Sequence, residues 1–339
     1  MNIVVLGAGI VGSATGRGLA AHGHQVTFVD RDSAVVDRLR GEGLDSRPLR
    51  GVDYGSADVT MVCVSTPTVD CRAQLDDIVA AIKGIAASLR PNDPRHLVVI
   101  RSTVPPTTTQ SVLAPLIESI SGLRVGPDVG LVVNPEFHRQ AVADEDFAHP
   151  WLTLLGAPHD ADFSVLRDLY APFGGDIVRT DWTTAEAIKY AHNLFNATKI
   201  SFFNEFYQVC AHIGVDSRVL GETVARSAEG MWNPRYGTHG GWPYGGTCLA
   251  KDTTALFGWA ADHGIDMPLL AATIEVNERM KARGGPVPAD LTQVVPEHVI
   301  EPGPIPRARV VVPFREDSTP TAMGAQLSGR GARLRATQR

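Results

Sequence analysis

Aromatic side chains make up only 6% of the 339 residues, cysteine occurs four times, and no apolar run approaches the roughly 20 residues needed to cross a bilayer. The cysteines, Cys63, Cys71, Cys210 and Cys248, show neither CxxC pairing nor disulfide-framework spacing, so each is to be explained as a thiol in a reducing compartment. Basic charge is not in excess either. With 31 Lys and Arg against 37 Asp and Glu, the net charge of -6 leaves no electrostatic footprint for nucleic acid. Met1 runs straight into the strand-like stretch Asn2 to Leu6, without a charged n-region, apolar h-region or cleavage site, and a cytoplasmic location is expected. No metal site and no membrane contact are expected.

What the chain does have is enough apolar content, 44%, to fill the cores of two globular units. Its first residues carry a βαβ opening. The run Asn2 to Leu6 is followed by Gly7-Ala8-Gly9-Ile10-Val11-Gly12, a helical pattern reaches Ala20, and Gln25 to Asp30 reads as a second strand. Strand-like runs recur at Val59 to Val64, His96 to Ile100, Leu131 to Val133 and Trp151 to Leu155, separated by helix-length stretches. This alternation predicts a Rossmann-type, doubly wound parallel α/β sheet over residues 1–180.

A glycine turn that follows a strand, opens a helix and has an acid at the end of the next strand is a dinucleotide site. Gly7 permits the tight turn, Gly9 removes the side chain that would block a pyrophosphate, and Gly12 lets the helix pack closely. The helix start at Ile10 and Val11 offers unpaired N–H groups and the positive dipole end to phosphates. Asp30 would accept from the ribose hydroxyls and repel a 2′-phosphate, which favours NAD, while neighbouring Arg31 keeps NADP in play. Thr66 and Thr103 fall at carboxyl ends of strands, where ligands of open sheets sit. Ordinary turn chemistry explains such residues equally well.

The pattern changes near Thr183. Thr183-Thr184-Ala185-Glu186 is a candidate cap for a long helix running past Cys210, and helical periodicity resumes from Lys251 towards Lys281. Residues 181–282 thus read as a helical central domain, dimeric through apolar helix faces. The proline-rich stretch 283–339 reads as a linker and a short terminal segment.

In the helical region, Gly245-Gly246-Thr247-Cys248-Leu249-Ala250-Lys251-Asp252 puts Cys248 where a glycine-rich loop becomes a helix. N–H dipoles and Lys251 would favour its thiolate there. The other three cysteines read as small buried apolar groups. Lys189 and Asn193, four apart, share a helix face and are suited to hold an alkoxide or order a water, although a solvated face is the common meaning of such a pair. Glu136, in Asn134-Pro135-Glu136-Phe137 just past a strand, is a candidate general base.

Together these motifs resemble the UDP-glucose/GDP-mannose 6-dehydrogenase family. The likeness runs from GAGIVG through STP at Thr66, STVPP at Thr103, NPEF at Glu136, KYAHN at Lys189 and KISFFNE at Lys199 to YGGTCLAKD at Cys248, ending near Lys281. The resemblance implies oxidation of the primary alcohol of a nucleotide sugar to a carboxylate with two NAD, the intermediate held on Cys248 as thiohemiacetal and then thioester. It implies that Lys189, Asn193 and Asp252 stabilise the oxyanion and orient water, and that Thr103 and Glu136 assist proton transfer and hydrolysis. It also implies that Lys251 lies by the cofactor, and that Phe137, Arg139, Arg235, Tyr236 and Gly245 lie by the substrate.

Three departures stand out. Gln140 replaces the second acid of PEFLRE. Met231-Trp232-Asn233 stands where many members have a substrate-binding arginine, with Arg235 the nearest substitute. Family members continue into a second Rossmann-like domain that grips the nucleotide, to which only Val310-Val311-Val312-Pro313-Phe314-Arg315 is similar. That departure opens a nucleoside or nucleotide 5′-hydroxymethyl group as an alternative substrate. Two further readings stay open: two-electron β-hydroxyacid dehydrogenase chemistry, yielding one NADH and indifferent to Cys248, and an inactive NAD-binding relic. Retention of Cys248, Lys251, Asp252, Lys189, Asn193 and Glu136 together argues against the relic.

Overall fold

The computed structural model describes residues 1–283 except Arg235, His239, Trp242 and Gly246, and omits the side chains of Gln140 and Thr247. The stretch from 284 onward, with the terminal segment similar to a second nucleotide domain, lies outside the described residues, as does Arg235.

The chain alternates strands and helices in its first half. In order these are β1 (Asn2–Leu6), α1 (Ile10–Ala21), β2 (Gln25–Asp30), α2 (Ser33–Gly41), β3 (Ser46–Pro48) and β4 (Val59–Val62). A small hairpin of β5 (Thr68–Val69) and β6 (Arg72–Ala73) precedes α3 (Asp76–Ser88), β7 (Leu97–Ile100), α4 (Ala114–Ser121) and β8 (Gly130–Val133). After these come α5 (Ala143–Ala148), β9 (Leu152–Gly156), α6 (Asp160–Tyr170) and β10 (Asp176–Thr180). Eight strands form one sheet in the order β10-β9-β8-β7-β4-β1-β2-β3. Its pairings are parallel except for the single antiparallel contact of β8 with β9 at Val133 and Gly156.

The doubly wound architecture follows from the strands' composition. A strand covered on both faces reads as a continuous apolar run, and residues alternate between the two covers. Val4 and Leu6 point into a cluster built with Ile78, Ile82, Ile85 and Ile117 of α3 and α4. Ile3 and Val5 point the other way, into a cluster with Ala14 and Leu19 of α1, Leu39 of α2, and Phe147 and Leu166 of α5 and α6. Two strands of this sheet, and the two-residue strands of the hairpin, escape sequence reading because they are short or exposed: β3 has three residues, and β10 has no fully buried position.

The second half is helical: α7 (Trp182–Ile213), α8 (Ser217–Ser227), α9 (Glu229–Trp232), α10 (Thr247–Asp262) and α11 (Pro268–Ala282). The cap of α7 differs from the expected Thr183 or Thr184. Asp181 is the capping residue, its carboxylate accepting from the Thr184 N–H at 2.9 Å and from the Thr184 hydroxyl at 2.7 Å. A carboxylate suits the positive end of a 32-residue helix, because both charge and acceptor geometry act there. The stretch from Lys251 to Lys281 is two helices rather than one, broken at Gly264 (φ 67°) and restarted by Pro268 at the first helical position. Trp182 fastens α7 to the sheet, its indole N–H donating to the Leu131 carbonyl at 2.9 Å. At the far end of α7, Glu205 accepts from the backbone N–H groups of Leu269 and Leu270 and so caps α11.

Candidate functional site

The sheet reverses its winding between β1 and β4, and the glycine turn lies at that crevice. Gly7 has φ 89°, and a Cβ there would press on the Cys63 carbonyl and the Val64 nitrogen at 2.8 Å. A methyl at Gly12 would collide with the Gly7 carbonyl, whereas one at Gly9 would meet nothing within 4 Å. Gly9 therefore keeps open the space over the start of α1. That helix has no side-chain cap and no acid in its first turn, so its leading N–H groups at Ile10 and Val11 face the crevice without an internal anion. Beside it a cleft of about 520 Å³ is walled by Gly9, Ile10, Arg17, Arg38 and the turn at Val142. This open cradle fits a dinucleotide's pyrophosphate.

Asp30 is already engaged. Its Oδ2 accepts from the Ala8 N–H at 2.7 Å and its Oδ1 from the Asp32 N–H at 2.9 Å. The carboxylate thus braces the glycine turn and retains lone pairs for a ribose. Arg31 is paired with Asp77 at 2.6 Å, so its charge is partly neutralised before any 2′-phosphate arrives. The pairing reduces the positive charge that Arg31 offers to a 2′-phosphate. The Thr66 hydroxyl donates to the Thr103 carbonyl at 2.6 Å, tying together two loops at the carboxyl edge.

At the same edge lies a buried ion pair. Lys189, 5% exposed on α7, donates from Nζ to the Glu136 carbonyl at 2.5 Å and to Glu136 Oε1 at 3.1 Å. The His138 N–H donates to Glu136 Oε2 at 2.6 Å. Burial works to raise the Glu136 pKa, but the Lys189 charge, its hydrogen bond and the His138 N–H together hold the carboxyl below its ordinary range. The Phe137 ring sits 5.5 Å from Lys189 Nζ and 4.7 Å from the His192 ring, an aromatic face beside the cation.

The other expected site residues divide. Asn193 follows Lys189 by one turn on the same helix face, as their spacing suggests, but it is exposed where Lys189 is buried. The Arg139 guanidinium is held by Asp146, at 2.6 Å from Nη2 to Oδ1 and 3.1 Å from Nε to Oδ2, on an exposed side chain. Cys248 is exposed in the first turn of α10, and Lys251 and Asp252 pair with each other at 2.5 Å on the same exposed turn. Tyr236 and Gly245 are partly buried in the loop between α9 and α10. Of the remaining cysteines, Cys210 is buried and Cys71 exposed, while burial pushes the Cys63 thiol up to about 11. Cys71 thus departs from the expected buried apolar role.

Sequence reading missed the layer beneath Glu136. Arg101, 3% exposed, donates from Nη1 to Asn134 Oδ1 at 2.5 Å and to the Tyr170 hydroxyl at 2.9 Å. The Tyr170 hydroxyl donates to Asn134 Oδ1 at 2.6 Å, and Asn134 Nδ2 donates to the Leu154 carbonyl at 2.9 Å. The asparagine of NPEF thus sets the turn that carries Glu136. A second missed residue is Glu186, 2% exposed, whose Oε1 accepts from the Thr109 N–H at 2.8 Å and docks α7 on the loop after β7. Only the position of Asn134 inside a motif signalled any of this.

A nucleotide crevice at the switch point of a parallel sheet, bordered by a buried lysine and carboxylate, defines a Rossmann-type dehydrogenase using NAD. Comparison with known proteins gives the family. Residues 1–45 and 51–174 match the NAD binding domain of the UDP-glucose/GDP-mannose dehydrogenase family, and residues 183–279 match its central domain. The GDP-mannose 6-dehydrogenase of Pseudomonas syringae pv. tomato is 35% identical over 298 residues, covering 82% of this chain and 68% of the relative. The UDP-glucose 6-dehydrogenase AglM of Haloferax volcanii is 34% identical over 307 residues, covering 84% and 71%. A ternary complex of GDP-mannose dehydrogenase from Pseudomonas aeruginosa superposes with a TM-score of 0.79 at 30% identity, over 84% of this chain and 70% of that one. The chain belongs to the UDP-glucose/GDP-mannose dehydrogenase family and is an NAD-dependent dehydrogenase. Among the described residues, no helix is long and apolar enough to cross a membrane and no side-chain group is arranged to hold a metal ion.

Proposed function

We propose that this chain oxidises the primary alcohol of a nucleotide sugar, of the UDP-glucose or GDP-mannose type, to the carboxylate, with Cys248 holding the intermediate. NAD, held at the glycine turn, would supply the hydride acceptor for the two oxidations. The observation that carries the reading is the Lys189–Glu136 pair, because it sets a buried cation and an ionised carboxylate at the carboxyl edge of the sheet, the edge that also carries the glycine turn. Glu136 takes the alcohol proton and later activates water, with Thr103 at the neighbouring loop end aiding the transfer. Lys189 and Asn193 stabilise the oxyanion, and Asp252 orients water. Attack by the Cys248 thiolate on the aldehyde gives a thiohemiacetal that still has a hydride to give. Its oxidation leaves a thioester, and water then releases the acid and restores the thiol.

Lys251 would border the cofactor, and Arg235, Tyr236 and Gly245 the substrate. Sequence likeness to relatives named for GDP-mannose and UDP-glucose supports the substrate class. Along α7, Leu194, Phe195, Ile200 and Tyr207 are more than half exposed, which supports a homodimer in which these side chains are covered. Cytoplasmic residence belongs to the same reading.

The test is to incubate the protein with NAD and a panel of UDP-sugars, GDP-sugars and nucleosides and to record NADH formed per substrate consumed. Two NADH with a nucleotide sugar are expected. One NADH points to two-electron chemistry, reduction only with nucleosides to the 5′-hydroxymethyl alternative, and none at all to an NAD-binding protein without this activity.

A further inference from the structure

A cavity of about 30 Å³ lies beside Glu136, among Arg101, Asn134, His138, Phe147 and Tyr170. Two of its lining side chains carry buried polar atoms that no protein group satisfies, Arg101 Nε and His138 Nδ1. The first can only donate and the second accepts whenever the imidazole is neutral. Unpaired buried groups of this kind are rare in folded proteins. Both Arg101 Nη1 bonds go to neutral oxygens, so its charge has no carboxylate directly on it. His138 Nδ1 stands 3.9 Å from Glu136 Oε2, too far for a hydrogen bond.

We propose that this half-open pocket holds an ordered water at its buried end, and that Arg101 and His138, joined through the water, are positioning residues for Glu136. A cavity of this size holds one water and little more. The water accepts from the Arg101 Nε–H and donates to His138 Nδ1, which satisfies both atoms at once and requires the proton of the imidazole to be on Nε2. The arrangement anchors residue 138 from its side chain, while its main-chain N–H holds Glu136 Oε2 at 2.6 Å. The carboxylate is thereby kept facing Lys189.

The charges around His138 are consistent with a permanently neutral ring. Arg101 follows β7, Glu136 shares its turn, Asp146 lies on α5 and Lys189 on α7. Burial first, and then Arg101, lower its pKa to about 4, against the opposing pull of Glu136 and Asp146. The ring therefore remains an acceptor throughout the neutral range.

The inference rests on the proposed role of Glu136 only in its kinetic arm. A crystal structure with ordered solvent is expected to show a water within hydrogen-bonding distance of both Arg101 Nε and His138 Nδ1. Nitrogen NMR of labelled histidine is expected to show His138 neutral with its proton on Nε2 from pH 5 to 8, and Arg101→Met to move its titration upward by about one unit. His138→Leu is expected to lower kcat about tenfold with the KM for NAD unchanged, and His138→Gln, which retains an acceptor, to recover part of it. A dry cavity, a His138 titrating near 6.5, or a fully active His138→Leu overturns the proposal. Full turnover by Glu136→Gln would instead overturn the role of Glu136, leaving the water and the tautomer to be read directly.

Discussion

From β1 to α6 the chain covers its apolar side chains on both faces of a sheet. Ile3, Val5, Ile82, Val99 and Leu131 are at most 1% exposed. From the middle of α7 onward the balance reverses. Leu194, Phe195, Ile200 and Tyr207 are 61%, 64%, 62% and 61% exposed, and the described core of the helical region centres on Val209, Ala260 and Met267. The site residues follow the same division. Lys189, which is buried, and Glu136, which is partly buried, are bonded to each other on the sheet side, while Asn193, Cys248, Lys251 and Asp252, on the helical side, are exposed. The sheet side presents its candidate residues bonded and largely covered, whereas the helical side presents its own exposed.

The sharpest way to break this comparison is at its seam. Lys189→Ala leaves Glu136 in a largely buried place without its cation. We expect a loss of about 3 kcal/mol or more in urea unfolding and at least a hundredfold drop in kcat, with NAD affinity nearly unchanged by fluorescence titration. A variant as stable and active as the parent would show that the pair does not join the halves.

The pH dependence tests the sheet side alone. His138 is neutral when folded down to about 4, against an ordinary 6.5. In that interval the unfolded chain binds a proton that the folded chain does not, so stability is full above pH 6.5 and is lost as pH falls towards 4. The loss amounts to roughly 3 kcal/mol for the one ring. In His138→Leu the decline over this window should shrink, as measured by denaturation at closely spaced pH values. An unchanged slope assigns the decline to other groups.

Helix caps test the other side. Glu205→Ala removes the carboxylate from two N–H groups at the start of α11, and a loss of about 1–2 kcal/mol is expected, with faster amide exchange confined to α10 and α11. Asp181→Ala, at the start of α7, should cost about 1 kcal/mol, because Trp182 and Glu186 still hold that end to the sheet. Equal exchange across both regions after Glu205→Ala would erase the contrast between them.

The glycine turn, Asp30 and the main strands were readable because their signals are local: a motif in strand–turn–helix context and continuous apolar runs. The long helix was readable from periodicity, but its cap was not, since Thr183 and Thr184 compete with Asp181 on paper and only backbone direction decides. Lys189 and Asn193 share a helix face by spacing, yet one is buried and the other exposed, because cover depends on what packs over each turn. Arg101, Tyr170 and His138 left no readable signal. They come from β7, α6 and the NPEF turn, distant in sequence, and their meaning as buried polar groups exists only once the sheet brings them together.

The central claim is that Cys248 carries the substrate through two oxidations. It is tested most directly by counting NADH and acid formed per molecule of nucleotide sugar consumed, for the unaltered protein and for Cys248→Ala. Two NADH and one carboxylate from the former, and no carboxylate from the latter, are expected. Equal acid production by Cys248→Ala, or a reaction that stops at one NADH in the unaltered protein, would contradict it.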